Sequence, residues 1–295
     1  MKILVIGKNG QLGRSIHKLI SNYDHHEFTL TGREELDLSS SESISKYFNT
    51  NSNFDVIINC AAYTSVDKAE EEAEIANQIN HLAVKQIAEI ANLQNTKLIH
   101  ISTDYVFDGI SHLAYLEDDK PNPINVYGKT KLEGERAIQN LMTNNATIIR
   151  TSSVYSEFGH NFVKTMMEYG RLKSEISVVS DQISSPTYAK DLAEAILKIC
   201  DNRSFSQQSF TTSIFNFSNL GEISFYQFAQ KIFDLTNLKC KVKPISSILY
   251  PMKAMRPRYT NLNKEKIINQ YKINIPAWED SLKEFLMKMS NISQN

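Results

Sequence analysis

With 32 Lys and Arg against 33 Asp and Glu over 295 residues, the chain carries a formal net charge of −1, which excludes a broad pull toward nucleic acid or an anionic membrane surface. Its length supports one large domain or two unequal ones, and 41% hydrophobic with 22% charged residues is the composition of a soluble globular protein. No apolar run approaches the roughly 20 residues that span a bilayer, and residues 1–7 turn polar too early for a signal peptide.

Residues 3–6 form a short unbroken apolar run, the mark of a parallel strand covered on both faces. Gly7, Gly10 and Gly13 follow, with Gln11 and Leu12 between them, and then Ile16, Leu19 and Ile20 at helical spacing. Strand, glycine turn and helix in that order make a dinucleotide site. The glycines let a pyrophosphate approach the helix N-terminus, where free N–H groups and the dipole favour anions. A second strand over 28–30 ends at Thr31-Gly32-Arg33. A small residue followed by Arg at this place accommodates the extra phosphate of NADP, so NADPH is expected, with Glu34 and Glu35 close enough to keep NADH open.

A third strand, 54–60, ends in Ala61-Ala62-Tyr63, where small residues let the backbone approach a cofactor. The pattern then predicts one helix over 67–92, its alanine-rich face on the sheet and the Glu70, Glu71 and Glu72 cluster in solvent. Asn80, in the middle of it, reads equally as a surface amide or as a support for a catalytic site. Residues 97–101 make a fourth strand. The loop over 104–125 that follows is of a length usually kept for function, and it leads into Tyr127.

Tyr127 and Lys131 stand four apart in a run of good helix formers, so both emerge from one face. An ammonium close to a phenol lowers the phenol's pKa and makes it a general acid. The hydroxyl of Thr103, at the end of the fourth strand, can fix the same substrate oxygen. Such a trio delivers a proton to a carbonyl oxygen while hydride arrives at its carbon. With 13 tyrosines, chance supplies about one such spacing, and a second is present at Tyr169 and Lys173. Gly170 interrupts that helix and no Thr precedes it at the same distance, so it is expected to be a surface pair.

A fifth strand over 146–150 completes an alternation of strand and helix, hence an α/β fold with a doubly wound parallel sheet. The expected organisation is a dinucleotide-binding domain over 1–150 and a smaller substrate-binding domain over 151–295, with some segments returning to the sheet. Helices are expected over 162–171, 188–199, 224–235 and 277–289, and a polar loop over 202–213. Between 236 and 275 stand nine Lys or Arg and one acid, Glu265. That excess reads either as a solvated face or as a receiver for a diphosphate, to which Arg is suited by its forked contacts. Cys60, Cys200 and Cys240 are widely spaced, which fits a reduced cytoplasmic protein and gives no metal-type spacing.

The stretches GKNGQLG, DVIINCAAYTSVDKAE, HISTDYVFDG, VYGKTKLEGE, DQISSPTYAKDLAEAI and MRPRYTNLN run in order over nearly the whole chain. In them the chain resembles the extended short-chain dehydrogenase/reductases, and within these the dTDP-4-dehydrorhamnose reductase family. The resemblance implies Thr103, Tyr127 and Lys131 as the catalytic trio, with Tyr127 and Lys131 also touching the cofactor. It implies Gly7, Gly10, Gln11, Leu12 and Gly13 at the cofactor's pyrophosphate, Arg33, Asp37 and Leu38 at its adenosine end, and Ala61, Ala62 and Tyr63 along its middle. Thr103, Asp104, Val106, Asn161, Gln182 and Arg256 would face a nucleotide-sugar substrate. Three positions depart from the family: Ser153 where a Trp is usual, Ser184 where a Gly is usual, and Arg14-Ser15 in place of an acid that in some members binds a metal between subunits. Monomer and homodimer both stay open. So do a reductase of another nucleotide-4-ketosugar and a non-catalytic regulatory subunit, which this branch also includes.

Overall fold

Ile3, Leu4, Val5 and Ile6 are wholly buried, so strand β1 (Lys2–Ile6) is sealed on both faces as its unbroken apolar run requires. In the computed structural model, which describes residues 1–206 and 209–292, the chain continues through α1 (Gln11–Leu19), β2 (Glu27–Thr31), α2 (Ser41–Thr50), β3 (Val56–Asn59), α3 (Val66–Ala69), α4 (Ala73–Asn77), α5 (Ala83–Leu93), β4 (Lys97–Thr103), α6 (Val126–Leu141) and β5 (Ala146–Thr151). It goes on through β6 (Val154–Tyr155), α7 (Phe162–Leu172), β7 (Glu175–Val179), β8 (Ile183–Ser184), β9 (Thr187–Tyr188), α8 (Ala189–Asp201), α9 (Arg203–Ser206) and β10 (Ser213–Asn216). The last elements are β11 (Ile223–Ser224), α10 (Phe225–Thr236), β12 (Lys241–Ile245), α11 (Glu265–Tyr271) and α12 (Trp278–Ile292).

Six strands form one parallel sheet in the order β10-β5-β4-β3-β1-β2. The chain winds outward from β1 to β2, then restarts at β3 and winds the other way, so the order reverses between β1 and β3. Ligands of such sheets bind at that reversal, beyond the carboxyl ends of the strands. Side chains alternate between two cores along each strand. Ile3, Val5, Ile58 and Ile99 meet Ile16 of α1 and Leu192 and Ile196 of α8 on one face. Leu4, Ile6, Ile57 and Leu98 meet Ile44 of α2, Ile87 of α5 and Ile138 of α6 on the other. Each such aliphatic side chain taken fully from water contributes about 1.5–3 kcal/mol. A third cluster, around Tyr155, Met166, Phe228, Trp278 and Phe285, holds α7, α10 and α12 together.

Several elements differ from the expectations of the sequence. The helix expected over 67–92 is broken into α3, α4, one π-type turn at Gln78–Leu82, and α5. The extra residue of that turn rotates Asn80 inward, where it is 1% exposed. Asn80 Oδ1 accepts from the Tyr63 amide at 2.8 Å, and Nδ2 donates to the Tyr63 carbonyl at 3.1 Å and to Thr130 at 3.2 Å. The stretch taken as a polar loop over 202–213 contains α9 and leads straight into β10, the sixth strand of the sheet; its residues 207 and 208 lie outside the described residues. β7 and β12 form a separate parallel pair. β12 draws Lys243 onto Glu175 at 2.6 Å, so part of the basic excess is matched by acids elsewhere.

Candidate active site

The glycine turn is built by close approach at the sheet's reversal point. Gly7 has φ +97°, and a Cβ on it would lie 2.9 Å from the Ala61 amide nitrogen; one on Gly13 would lie 2.2 Å from the Gly7 carbonyl oxygen. Only hydrogen fits at either place. Gly10 caps α1 without a side chain, which leaves the first amides of the helix facing outward. Gly7, Gly10, Gln11 and Leu12 line a cavity of about 620 Å³, with Gly13 packed beneath it. Arg33, Asp37 and Leu38 line its outer end, Ala61, Ala62 and Tyr63 its flank, and Tyr127 and Lys131 its inner end.

The outer end is charged on both signs. Arg33 is exposed and its Nε donates to Asp37 Oδ2 at 3.3 Å. Glu35 accepts from the Gly32 amide at 2.7 Å and pairs with Lys8, and these contacts hold its carboxyl below the usual range.

At the inner end, α6 starts where Asn125 Oδ1 accepts from the Gly128 amide at 2.8 Å. A Cβ on Gly128 would lie 2.1 Å from the Tyr105 carbonyl, so the helix start presses against the turn after β4 and brings Tyr127 to Thr103. Burial pushes the Tyr127 phenol up to about 12, and the Thr103 side chain pulls the other way. The four-residue spacing implied the opposite shift. The reason is where the ammonium goes: Lys131 Nζ donates to the Ile101 carbonyl at 2.6 Å and lies 3.1 Å from His100 Nε2. Burial pushes Lys131 down to about 8. Burial and the Lys131 charge hold His100 well below its ordinary value, so it stands neutral beside the cation.

His100 and Asn59 are contributors that sequence reasoning missed. His100 Nδ1 lies 3.3 Å from Asn59 Nδ2, and Asn59 Oδ1 accepts from the Ala61 amide at 3.1 Å. A chain of contacts therefore joins Lys131 to the backbone of the cavity's flank. The only signal in the sequence is a polar residue inside each apolar strand. Tyr169, by contrast, is part-exposed with Lys173 Nζ 4.1 Å above its ring, the surface pair expected.

A second cavity of about 430 Å³ adjoins the first; Thr64, Val154 and His160 line both. Tyr105, Phe162, Phe225 and Arg256 line it, as do two of the three departures from the family pattern, Ser153 and Ser184, whose hydroxyls are 3.2 Å apart. Ser153 holds a left-handed φ of +46°, a conformation that is uncommon for a residue with a side chain. Arg256 is the one expected substrate residue that lines this cavity. Asp104 lies buried beneath, accepting from Ser152 at 2.7 Å and Thr103 at 3.1 Å, and burial pushes its carboxyl up to about 6. The Val106 side chain belongs to the core beside Phe107, Tyr115 and Leu132. Asn161 caps α7 and donates to Gln11 Oε1 at 3.0 Å. Gln182 is buried with its Nε2 unpartnered. A larger cavity, about 940 Å³, lies among α7, α10 and α12 and holds none of the trio, so its size carries no chemistry here.

A doubly wound sheet with a glycine cradle at its reversal point and a Tyr/Lys pair at the inner end of the same cavity defines a short-chain dehydrogenase/reductase. The model of one family, described as the RmlD substrate binding domain, matches residues 1–291. The chain is 38% identical over 290 residues to the dTDP-4-dehydrorhamnose reductase of Sinorhizobium fredii, covering 97% of each. A crystal structure of a dTDP-4-dehydrorhamnose reductase from Clostridium acetobutylicum has a TM-score of 0.91 at 38% identity, covering 98% of this chain and 100% of that one. Another, from Bacillus anthracis in complex with NADP, has a TM-score of 0.90 at 35% identity, covering 97% and 99%. The chain belongs to the dTDP-4-dehydrorhamnose reductase family.

Proposed function

We propose that the protein uses NADPH to reduce the 4-keto group of a nucleotide-linked 6-deoxyhexulose, converting dTDP-4-dehydrorhamnose to dTDP-L-rhamnose. The observation that carries this reading is that Tyr127, hydrogen-bonded by Thr103, shares with Lys131 a glycine-cradled cavity that adjoins a second one lined by Arg256. The name of the relatives and the NADP held by one of them support it.

The residues present fit that cofactor: a Cβ would fill the cradle at Gly7, and Arg33 stands as a cation at the outer end. NADPH supplies the hydride when bound. The amides of Gln11 and Leu12, with Gly10 allowing close approach, would hold its pyrophosphate, Arg33 would hold the 2′-phosphate, and Ala61, Ala62 and Tyr63 would flank its middle. Tyr127 is protonated at neutral pH because burial holds it near 12, and it gives that proton to the ketone oxygen. Lys131, tied to Ile101 and His100 at the inner end of the cavity, would hold the nicotinamide ribose. Thr103 orients the phenol, with Asp104 behind it. Arg256 receives the substrate's diphosphate, and Val106, Asn161 and Gln182 support that side from beneath. The free cysteines go with a reducing, cytoplasmic setting.

The test is NADPH oxidation by purified protein with dTDP- and UDP-linked 4-keto-6-deoxyhexuloses. Turnover of the dTDP sugar supports the reading. Turnover of the UDP sugar alone moves the assignment to another nucleotide, and oxidation with neither favours the regulatory subunit.

A further inference from the structure

Beneath the site lies a buried ion pair that the reduction just described does not use. Arg150 of β5 and Glu135 of α6 are 1% and 0% exposed. Arg150 Nε donates to Glu135 Oε1 at 3.0 Å and Nη2 donates to Oε2 at 2.7 Å, while Nη1 donates to the Glu117 carbonyl at 3.0 Å. Ser102 Oγ donates to the same Oε1 at 2.5 Å. Taking two charges out of water is costly, and apolar side chains of equal volume often hold a fold as well or better. The place of this pair points to a use other than stability.

Glu135 follows Lys131 by one helical turn on α6, so the two side chains share a face. Ser102 stands between Ile101, whose carbonyl holds the Lys131 ammonium, and Thr103, which orients Tyr127. In a strand, residue 102 faces away from 101 and 103, so Ser102 is where the far side of β4 can be gripped. Register sets Ser102 opposite Arg150 and Thr103 opposite Thr151.

We propose that Glu135 is a positioning residue for the reduction: through Ser102 it fixes the end of β4 that carries the Ile101 carbonyl and the Thr103 hydroxyl, and it supplies the buried negative charge set against Lys131. This rests on Tyr127 and Lys131 being the reducing pair. Lys131 is faced by His100 of β4 and stands one helical turn from both Tyr127 and Glu135 on α6, with Arg150 of β5 on the other side of Glu135 and Asp104 near the phenol. His100 is neutral, and the charge of Glu135 acts to raise the Lys131 pKa against the burial that lowers it. Lys131 therefore loses its proton as pH rises through about 8. Without the carboxylate this midpoint falls.

The experiment is an NMR titration of the Lys131 side chain in the full-length protein, the signal being assigned by its loss in Lys131→Met. The wild-type midpoint is expected near pH 8, and that of Glu135→Gln lower by about one unit or more. Ser102→Ala should keep the wild-type midpoint and the KM for NADPH, yet lose roughly 10- to 100-fold in kcat, the scale of a misplaced catalytic group. An unmoved midpoint in Glu135→Gln, or an unchanged kcat in Ser102→Ala, overturns the proposal. If Glu135→Gln does not fold, the kcat of Ser102→Ala decides. If wild-type protein reduces no ketosugar, the titration alone decides, and that failure counts against the reaction assigned above.

Discussion

Arg256 and Asp67 form a two-pronged ion pair across 189 positions of sequence, with Nη1 to Oδ1 at 3.0 Å and Nη2 to Oδ2 at 2.7 Å. It sits at the second cavity, to which Arg256 contributes. A diphosphate that engages this guanidinium must compete with the carboxylate. Arg256→Ala should therefore weaken dTDP binding by about 10-fold, the low end of the roughly 1.5–3 kcal/mol of a charge-assisted contact. Asp67→Asn should strengthen it, because the competing carboxylate charge is then gone. Calorimetry with dTDP on both variants checks the pair. Equal affinity in wild type and Arg256→Ala would place the diphosphate's cation elsewhere.

Arg33 poses the same competition at the cofactor's outer end, where Asp37 takes its Nε at 3.3 Å. NADPH should still be preferred to NADH, since a phosphate accepts more strongly charged contacts than one carboxylate at that distance. Arg33→Ala should lower the ratio of kcat/KM values for the two cofactors by about 10-fold or more. Steady-state kinetics with both cofactors measures this. A ratio near one in wild type would mean that Arg33 serves only Asp37.

Gly134 allows α6 to rest on the π-type turn, because a Cβ there would lie 2.3 Å from the Asn80 carbonyl oxygen. Gly134→Ala forces these elements apart and is expected to destabilise the fold by about 1–3 kcal/mol, despite the better helix propensity of Ala. Asn80 also holds Tyr63 in the cavity's flank, so the KM for NADPH should rise as well. Urea unfolding with an unchanged slope, together with the kinetics, tests both effects. A variant as stable as wild type would mean the turn yields freely.

The parts legible in the sequence are those written in local chemistry. The strand, glycine turn and helix of residues 3–20 and the Tyr127/Lys131 spacing need only neighbours to be read. The π-type turn escaped because one extra residue leaves the apolar pattern of 67–92 almost unchanged. β10 escaped because Ser213–Asn216 is short and half polar, and only its pairing with β5 makes it a strand. The direction of the Tyr127 shift could not be read either: spacing set Lys131 near the phenol, but the Ile101 carbonyl and His100, on another strand, decide where the ammonium points. Likewise three of the nine cations in the basic excess over 236–275 pair with distant acids, Lys243 with Glu175, Lys253 with Glu71 and Arg256 with Asp67.

The central claim is that the Tyr127 phenol delivers the proton. Its most direct test is the kcat of Tyr127→Phe, measured by NADPH oxidation with the dTDP-linked 4-keto-6-deoxyhexulose, beside the NADPH dissociation constant of the same protein. Loss of a general acid should lower kcat by at least about 100-fold with cofactor affinity nearly unchanged. A Tyr127→Phe protein that turns over at close to the wild-type rate would contradict the account.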